Sequence, residues 1–145
     1  MAGNTIWRGQ SGLPQPRTIN LPVAGAYVPG TFVENTATQL SQITTPVDKR
    51  PLILGQFDMT TKAVTDAYTS GDTGVGYELR VGDTFQASLA AATYTKNQPL
   101  TISASGRLAA AATTNIVVAF FDDTPGAYAA GALADVVIAN FYTKP

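Results

Sequence analysis

Apolar positions along this chain recur in short alternating runs bounded by Gly, Pro, Asn and Ser, the spacing of strands rather than helices. Tyr27-Val28-Pro29-Gly30-Thr31-Phe32-Val33 reads as strand, Pro-Gly turn, strand. Thr31 to Glu34 and Gln39 to Ile43 flank the turn Asn35-Thr36-Ala37-Thr38, a hairpin. The apolar run from Pro51 to Phe57 has turn residues on both sides and predicts a buried strand. A short strand is expected at Ala63-Val64-Thr65, within the polar stretch Thr60 to Thr73. Gly76 to Val81 and Thr84 to Ser88 flank Gly82-Asp83, and Leu100-Thr101-Ile102 and Arg107-Leu108-Ala109 flank Ser105-Gly106; both read as hairpins. Ile116 to Phe121 and Val136 to Phe141 are the last two strands, with a turn over Asp122 to Gly126. The Ala runs in Phe85 to Tyr94 and Leu108 to Thr114 lack an amphipathic stripe or a clean cap. They allow one or two short helices, with Ala87 to Ala92 the candidate, or else small residues that admit a neighbouring chain. The expected class is mainly β.

Residues Met1 to Pro22 read as an extended N-terminal arm ahead of a β-rich body, Val23 to Pro145. Gly3, Gly9, Gly12, Pro14, Pro16 and Pro22 interrupt helix and strand ladders alike. The arm still carries Ile6, Trp7, Leu13 and Ile19, with Arg8 and Arg17 beside them, more anchors than a disordered tail has. Two placements are open. The arm folds back over its own body with Trp7 as a lid, or it lies on a partner subunit; the second is the working expectation.

Two stretches also look alike. Ala26 to Glu34, ending near Leu40, resembles Thr93 to Ile102, ending at Leu108: a Tyr, a turn, a hairpin, a Leu. Each is followed by an apolar strand, Leu52-Ile53-Leu54-Gly55 and Val117-Val118-Ala119-Phe120. Each then has a further strand, Tyr77 to Val81 and Asp135 to Ile138. If the likeness is not chance, the body holds two related β units that share one core.

Composition narrows the function. The 145 residues fit one domain, and 45% hydrophobic content suffices for a core. Only 13% of residues are charged, the net charge is −1 and the pI about 5.1, which gives no footprint for nucleic acid. The chain has no His and no Cys, which excludes a His-based triad, a thiol nucleophile, disulfides and the usual zinc or haem ligands. Met1 to Gln10 has no apolar core behind a basic start, so no secretory signal is expected, and no apolar run approaches the roughly 18–20 residues of a membrane span.

Candidate chemistry is thin. Asp122-Asp123, with Asp58 or Asp135, is the one grouping able to hold a hard cation, and its Thr-Pro-Gly continuation reads as a solvated turn. Glu34, Glu78, Asp72 and Asp83 are too scattered for a carboxylate pair. Gly74-Val75-Gly76 lacks a dinucleotide fingerprint, and Ser70, Ser88, Ser103 and Ser105 have no base. Asp48-Lys49-Arg50 is a solvated turn or a contact to a charged partner. No catalytic residue and no cofactor are expected.

The second half, Leu100 to Ala110, then Ile116 to Phe121, then Gly131 to Phe141, is similar to the phage head decoration, or cement, proteins. Pro51-Leu52-Ile53-Leu54, Lys62-Ala63-Val64 and Thr73-Gly74-Val75-Gly76 resemble the lambda-type head stabilisers. The resemblance implies a β-tulip-like or small barrel-like domain, a homotrimer or possible dimer, and the major capsid protein as partner. It implies a place on the outer capsid surface of the virion after synthesis in the host cytoplasm. On this reading the arm supplies the coat contacts: Ile6, Trp7, Arg8, Leu13, Pro14, Pro16, Arg17 and Ile19, with Trp and Arg as anchors. Thr18 to Leu21 would add a strand to a coat sheet, and removal of Met1 to Pro22 would leave a folded body. A phage head-fibre or tail β module is the alternative, as is a carbohydrate-binding module with Tyr27, Tyr68, Tyr77, Tyr94, Tyr128 and Tyr142 as candidate platforms.

Overall fold

A computed structural model describes residues 5–10, 12–56 and 63–145. Its strands in chain order are β1 (Trp7–Gly9), β2 (Thr18–Pro22), β3 (Phe32–Asn35), β4 (Leu40–Gln42), β5 (Leu52–Leu54), β6 (Thr73–Glu78), β7 (Thr84–Ser88), β8 (Ala92–Tyr94), β9 (Pro99–Ile102), β10 (Leu108–Ala110), β11 (Ile116–Phe121), β12 (Gly126–Tyr128) and β13 (Leu133–Thr143). A 3-10 turn, Ala104–Gly106, is the helical element among the described residues. The molecule is mainly β, as the alternation predicts.

Two antiparallel sheets carry the fold, β2-β6-β5-β3-β4 and β1-β7-β13-β11-β9-β10, with β12-β8 as a small ribbon. Without β1, the second order repeats the first strand for strand. The register repeats too. Phe32↔Ile53 and Val33↔Leu52 recur as Pro99↔Phe120 and Leu100↔Ala119. Leu54↔Gly76 recurs as Phe121↔Val136, and the ladder from Thr18↔Tyr77 to Pro22↔Thr73 recurs from Thr84↔Val137 to Ser88↔Leu133. Even the isolated parallel bridge Val23↔Leu40 has its counterpart in Leu89↔Leu108. Each unit curls until that bridge links the residue after its first strand, β2 or β7, to the strand at the opposite end of its order, β4 or β10, but no sheet closes into a barrel among the described residues. The internal likeness is thus two copies of one five-stranded unit.

The units stack face to back. Strand side chains alternate between faces, so Leu52 and Leu54 fill the first unit's interior with Val23, Val33 and Leu40, while Ile53 points the other way with Phe32 and Tyr77. That outer face packs into the open side of the second unit against Phe85, Leu100 and Phe121, with the Tyr77 and Phe85 rings 5.9 Å apart. This is why Pro51 to Leu54 is apolar without alternation: β5 is buried on both faces. Gly30 lies in the seam with φ +92, its carbonyl accepting from Ser88 N–H at 3.1 Å. A Cβ there would meet Leu133 Cδ2 at 2.7 Å.

Several expectations need correction. Gly82-Asp83 makes no hairpin, because β6 and β7 belong to different sheets and the segment between them links the two units. Ala87 to Ala92 is not helical: it finishes β7 and begins β8, and Ala87, Ser88 and Leu89 are buried where the Gly30 loop crosses closely. The small residues thus admit the chain's own other unit. Ala63 to Thr65 forms a turn rather than a strand. The arm is not free of strand structure either. β1 pairs with β7 and β2 with β6, since an edge strand satisfies its bonds on one side and tolerates flanking Gly and Pro.

Candidate interaction surface

The arm residues divide into a tethered set and an exposed set. Ile6 is 1% exposed and enters the shared core, a burial that contributes about 2–3 kcal/mol. Its N–H donates to Gln56 Oε1 at 3.0 Å and its carbonyl accepts from Gln86 N–H at 2.8 Å. Trp7 packs on Phe85, ring centroids 5.4 Å apart, with the Arg80 guanidinium 5.5 Å above its ring. Arg8 pairs with Asp135 at 3.2 Å. Pro16 is buried and Ile19 half-buried beside the first unit's interior. Leu13, Pro14 and Arg17 are exposed. Of the two placements open to the arm, this chain shows the one over its own body, for Ile6 and Trp7. A body without Met1 to Pro22 would lose β1, β2 and a core side chain.

A buried carboxylate holds the arm at the link between units. Asp83 has no solvent exposure. It accepts from Arg80 Nε at 2.8 Å and from Gln10 Nε2 at 2.8 Å, while Arg80 donates a further bond to the Pro14 carbonyl at 2.7 Å. A desolvated anion is tolerable only with such partners, so its removal strands Arg80 and Gln10 together. The surface pairs Lys49–Glu34 (3.2 Å) and Arg50–Glu78 (3.0 Å) are worth only about 0.2–1 kcal/mol each. The arm is held by its β1 and β2 ladders, by Ile6 in the core and by the Asp83 network.

Beside this lock, a cleft of about 370 Å³ opens where the end of the first unit meets β13, lined among others by Arg50, Leu52, Glu78, Val81, Ile138 and Phe141. Val81 is 64% exposed and Phe141 37% exposed. The two occupy equivalent places, three residues past the equivalent pair Glu78 and Ile138. Phe141 sits at φ +51 where the β11–β13 register shifts, a left-handed conformation that an aromatic residue seldom adopts. Arm and cleft adjoin: Gln10 Nε2 donates to the Val81 carbonyl at 3.4 Å, Leu13 N–H donates to the Gln10 carbonyl at 3.0 Å, and Arg17 lies 3.8 Å from Glu78. Val81 and Phe141 thus lie with the cations Arg17 and Arg50 around one cleft, and Leu13 is exposed on the adjoining arm. Val81 and Phe141 carry no motif, and only the fold brings them together; Lys49 and Arg50 fall in the run singled out as a charged contact.

Among the described residues the acidic grouping forms no cation cage. Asp122 pairs with Lys96 at 2.6 Å, and Asp123 accepts from the Thr124 and Asp135 backbone N–H groups at 2.7 and 2.9 Å. Burial pushes the Asp135 carboxyl up from the usual carboxylate range, Arg8 opposes that, and Asp123 and Asp122 add to it. Asp58 lies outside the described residues. Among the described residues no group of three His, Cys, Asp or Glu stands where it would hold a metal. No helix there is long and apolar enough to cross a membrane. Of the six tyrosines, Tyr68, Tyr77 and Tyr94 are buried; Tyr94 stacks on Phe121, and Tyr128 meets both rings edge-on.

No protein-family model matches the chain, and no curated protein matches its sequence.

Proposed function

We propose that the chain is a structural virion protein that binds the outer surface of a phage capsid and stabilises the shell by bridging coat subunits. The observation that carries this reading is the cleft: Val81 and Phe141 exposed beside Arg17 and Arg50, with Leu13 exposed on the adjoining arm, on a body of two interlocked β units. Large apolar side chains beside arginines make an anchoring surface, and a rigid body loses little entropy on docking. A protein that binds the assembled lattice and not its separated subunits stabilises the lattice by mass action, with no chemical step. Self-association multiplies weak contacts through effective concentration. Exposed Leu13, Pro14 and Arg17 remain available for the coat contact, and the cleft residues Val81, Phe141 and Arg50 join them.

The test is decoration of expanded phage heads that lack this protein, read by electron microscopy. Wild-type chain is expected to add ordered density at symmetry-related positions, and Val81→Asp with Phe141→Asp to remove it while circular dichroism stays unchanged. Bare shells with folded wild-type protein at saturating concentration would overturn the proposal.

A further inference from the structure

The cleft at the meeting of the two units carries a feature that the duplication does not repeat. In the first unit β5 and β6 pair without a shift as far as Leu52↔Glu78. In the second, the ladder passes from Ala119↔Ile138 to Val117↔Tyr142, so Ala139, Asn140 and Phe141 of β13 stand against Val118 alone. A bulge re-aims side chains, and bulges gather beside functional sites. This one brings Phe141 to the surface at φ +51, a conformation that an aromatic residue keeps only where its surroundings hold it. Just ahead of the bulge, Gly82 N–H donates to the Ile138 carbonyl and Ile138 N–H to the Asp83 carbonyl, both at 2.9 Å. These bonds tie the segment carrying Val81 to the strand carrying Phe141. The two exposed side chains thus line the same cleft as the buried Leu52 and Ile138. Its volume, about 370 Å³, lies within the roughly 300–1,000 Å³ of ligand sites.

The charged groups of this cleft present one sign to a visitor. Arg50 Nη2 donates to Glu78 Oε1 at 3.0 Å, and Arg17 Nη1 lies 3.8 Å from the same oxygen, so two guanidiniums share one carboxylate oxygen. Lys49 is paired with Glu34. The Arg50 and Arg17 side chains are 80% and 74% exposed, against 21% and 28% for Glu78 and Glu34. A molecule entering the cleft therefore meets guanidinium donors before carboxylates. From this complementarity we infer that the cleft receives an extended segment of the partner that carries an Asp or Glu carboxylate beside a large apolar side chain. Arg50 is a fork of N–H donors with one of them on Glu78, so it takes the incoming carboxylate, and Arg17 is the second cation. The apolar side chain lies against Val81 and Phe141, with Leu52 and Ile138 beneath. The inference rests on the proposed function for the source of the segment, a coat subunit. The chemistry that the cleft selects is a property of the free chain.

The probes are acetyl-Leu-Glu-Leu-amide, its Gln counterpart and acetate, each titrated at low salt into the isotope-labelled full chain and followed by amide NMR shifts. The Glu peptide is expected to shift the Val81, Asn140 and Phe141 amides, with a dissociation constant about fivefold or more below that of the Gln peptide. Acetate should bind more weakly than the Glu peptide, because it lacks the apolar half. Arg50→Glu should abolish the preference for Glu with circular dichroism unchanged. Equal affinity for the two peptides, shifts outside the cleft, no shifts at all, or acetate binding as tightly as the Glu peptide would overturn the inference. That comparison uses the wild-type chain, so it decides even if Arg50→Glu fails to fold. On phage heads, Arg50→Glu should weaken decoration about tenfold or more, whereas Arg107→Glu, the same change of charge outside the cleft lining, should not. Arg50→Glu decorating as well as wild type would remove the inference and leave the capsid reading standing. Bare heads with wild type, together with a clear preference for the Glu peptide, would do the reverse.

Discussion

The two β units share the register of every ladder they have in common, apart from the bulged extension of β11 and β13, yet differ in which surfaces they leave open. Phe32, Ile53 and Tyr77 of the first unit are buried against the second, whereas their counterparts Pro99, Phe120 and Val137 are half-exposed. Interior positions shuffle in size as well: Leu52 and Leu54 stand where the second unit has Ala119 and Phe121. The backbone ladder and the inward–outward alternation are common to both, so they define the unit. Side-chain volume is adjusted to what each face meets, as close packing demands.

The sharpest test of that comparison is a pair of truncations at equivalent sites. Ile53→Ala should cost about 4 kcal/mol in urea unfolding, because the seam cannot collapse around the gap. Phe120→Ala should cost about 1 kcal/mol despite its larger side chain, since Phe120 is only half-buried and belongs to neither core cluster. Equal costs would mean that the face-to-back stacking is wrong.

Next in size is Asp83→Ala, expected to cost about 3 kcal/mol through the unpaired Arg80 and Gln10. It should also make the arm the first site cut in limited proteolysis. An unchanged cleavage pattern would show that Ile6 and the β1 and β2 ladders hold the arm without it.

Gly30 and Asn97 are equivalent turn positions: Gly30 N–H donates to the Leu54 carbonyl at 2.7 Å and Asn97 N–H to the Phe121 carbonyl at 2.8 Å. Both have positive φ, +92 and +63. Gly30→Ala should cost about 2 kcal/mol, from strain and from the clash with Leu133. Asn97→Gly, at an exposed turn that glycine suits, should change stability by less than about 0.5 kcal/mol. Similar losses at both sites would remove the seam as the cause.

The smallest expected effect is a pH dependence confined to the second unit, where Asp135 replaces Val75. Its carboxyl is raised in the folded state, so folding favours its protonated form. This group's contribution therefore destabilises above the folded value and fades as pH falls through it. Relative to Asp135→Asn, wild type should gain stability on acidification through that range. A flat difference between the two unfolding series would mean that Arg8 fully compensates the burial.

Much of the fold was legible in local sequence. The Asn35 to Thr38 and Ser105-Gly106 turns, the double-sided apolar run at Leu52 to Leu54, and the two closing strands are signals carried by a few adjacent residues. The likeness between Ala26–Glu34 and Thr93–Ile102 pointed to the duplication, although identical residues are few, because ladders need alternation rather than particular side chains. Gly82-Asp83 misled because a turn dipeptide does not say which sheet the next strand joins. That choice rests on long-range partners, β13 for Thr84 to Ser88 and Arg80 with Gln10 for the Asp83 carboxylate. The arm's anchors were legible as anchors but not their target, since a Trp in an extended segment reads the same against its own body or another's. Val81 and Phe141 were illegible as a pair, being far apart in sequence and equivalent only through the repeat.

The route of the arm has a consequence for how the chain is made. Ile6 and Trp7 leave the ribosome ahead of both units, yet the Phe85 edge they cover emerges only after the whole first unit. Unit one can pair its own strands during synthesis, while the leading residues wait with their apolar side chains uncovered. The final closure then joins β1 to the much later β7, a long loop to close and hence a slow step.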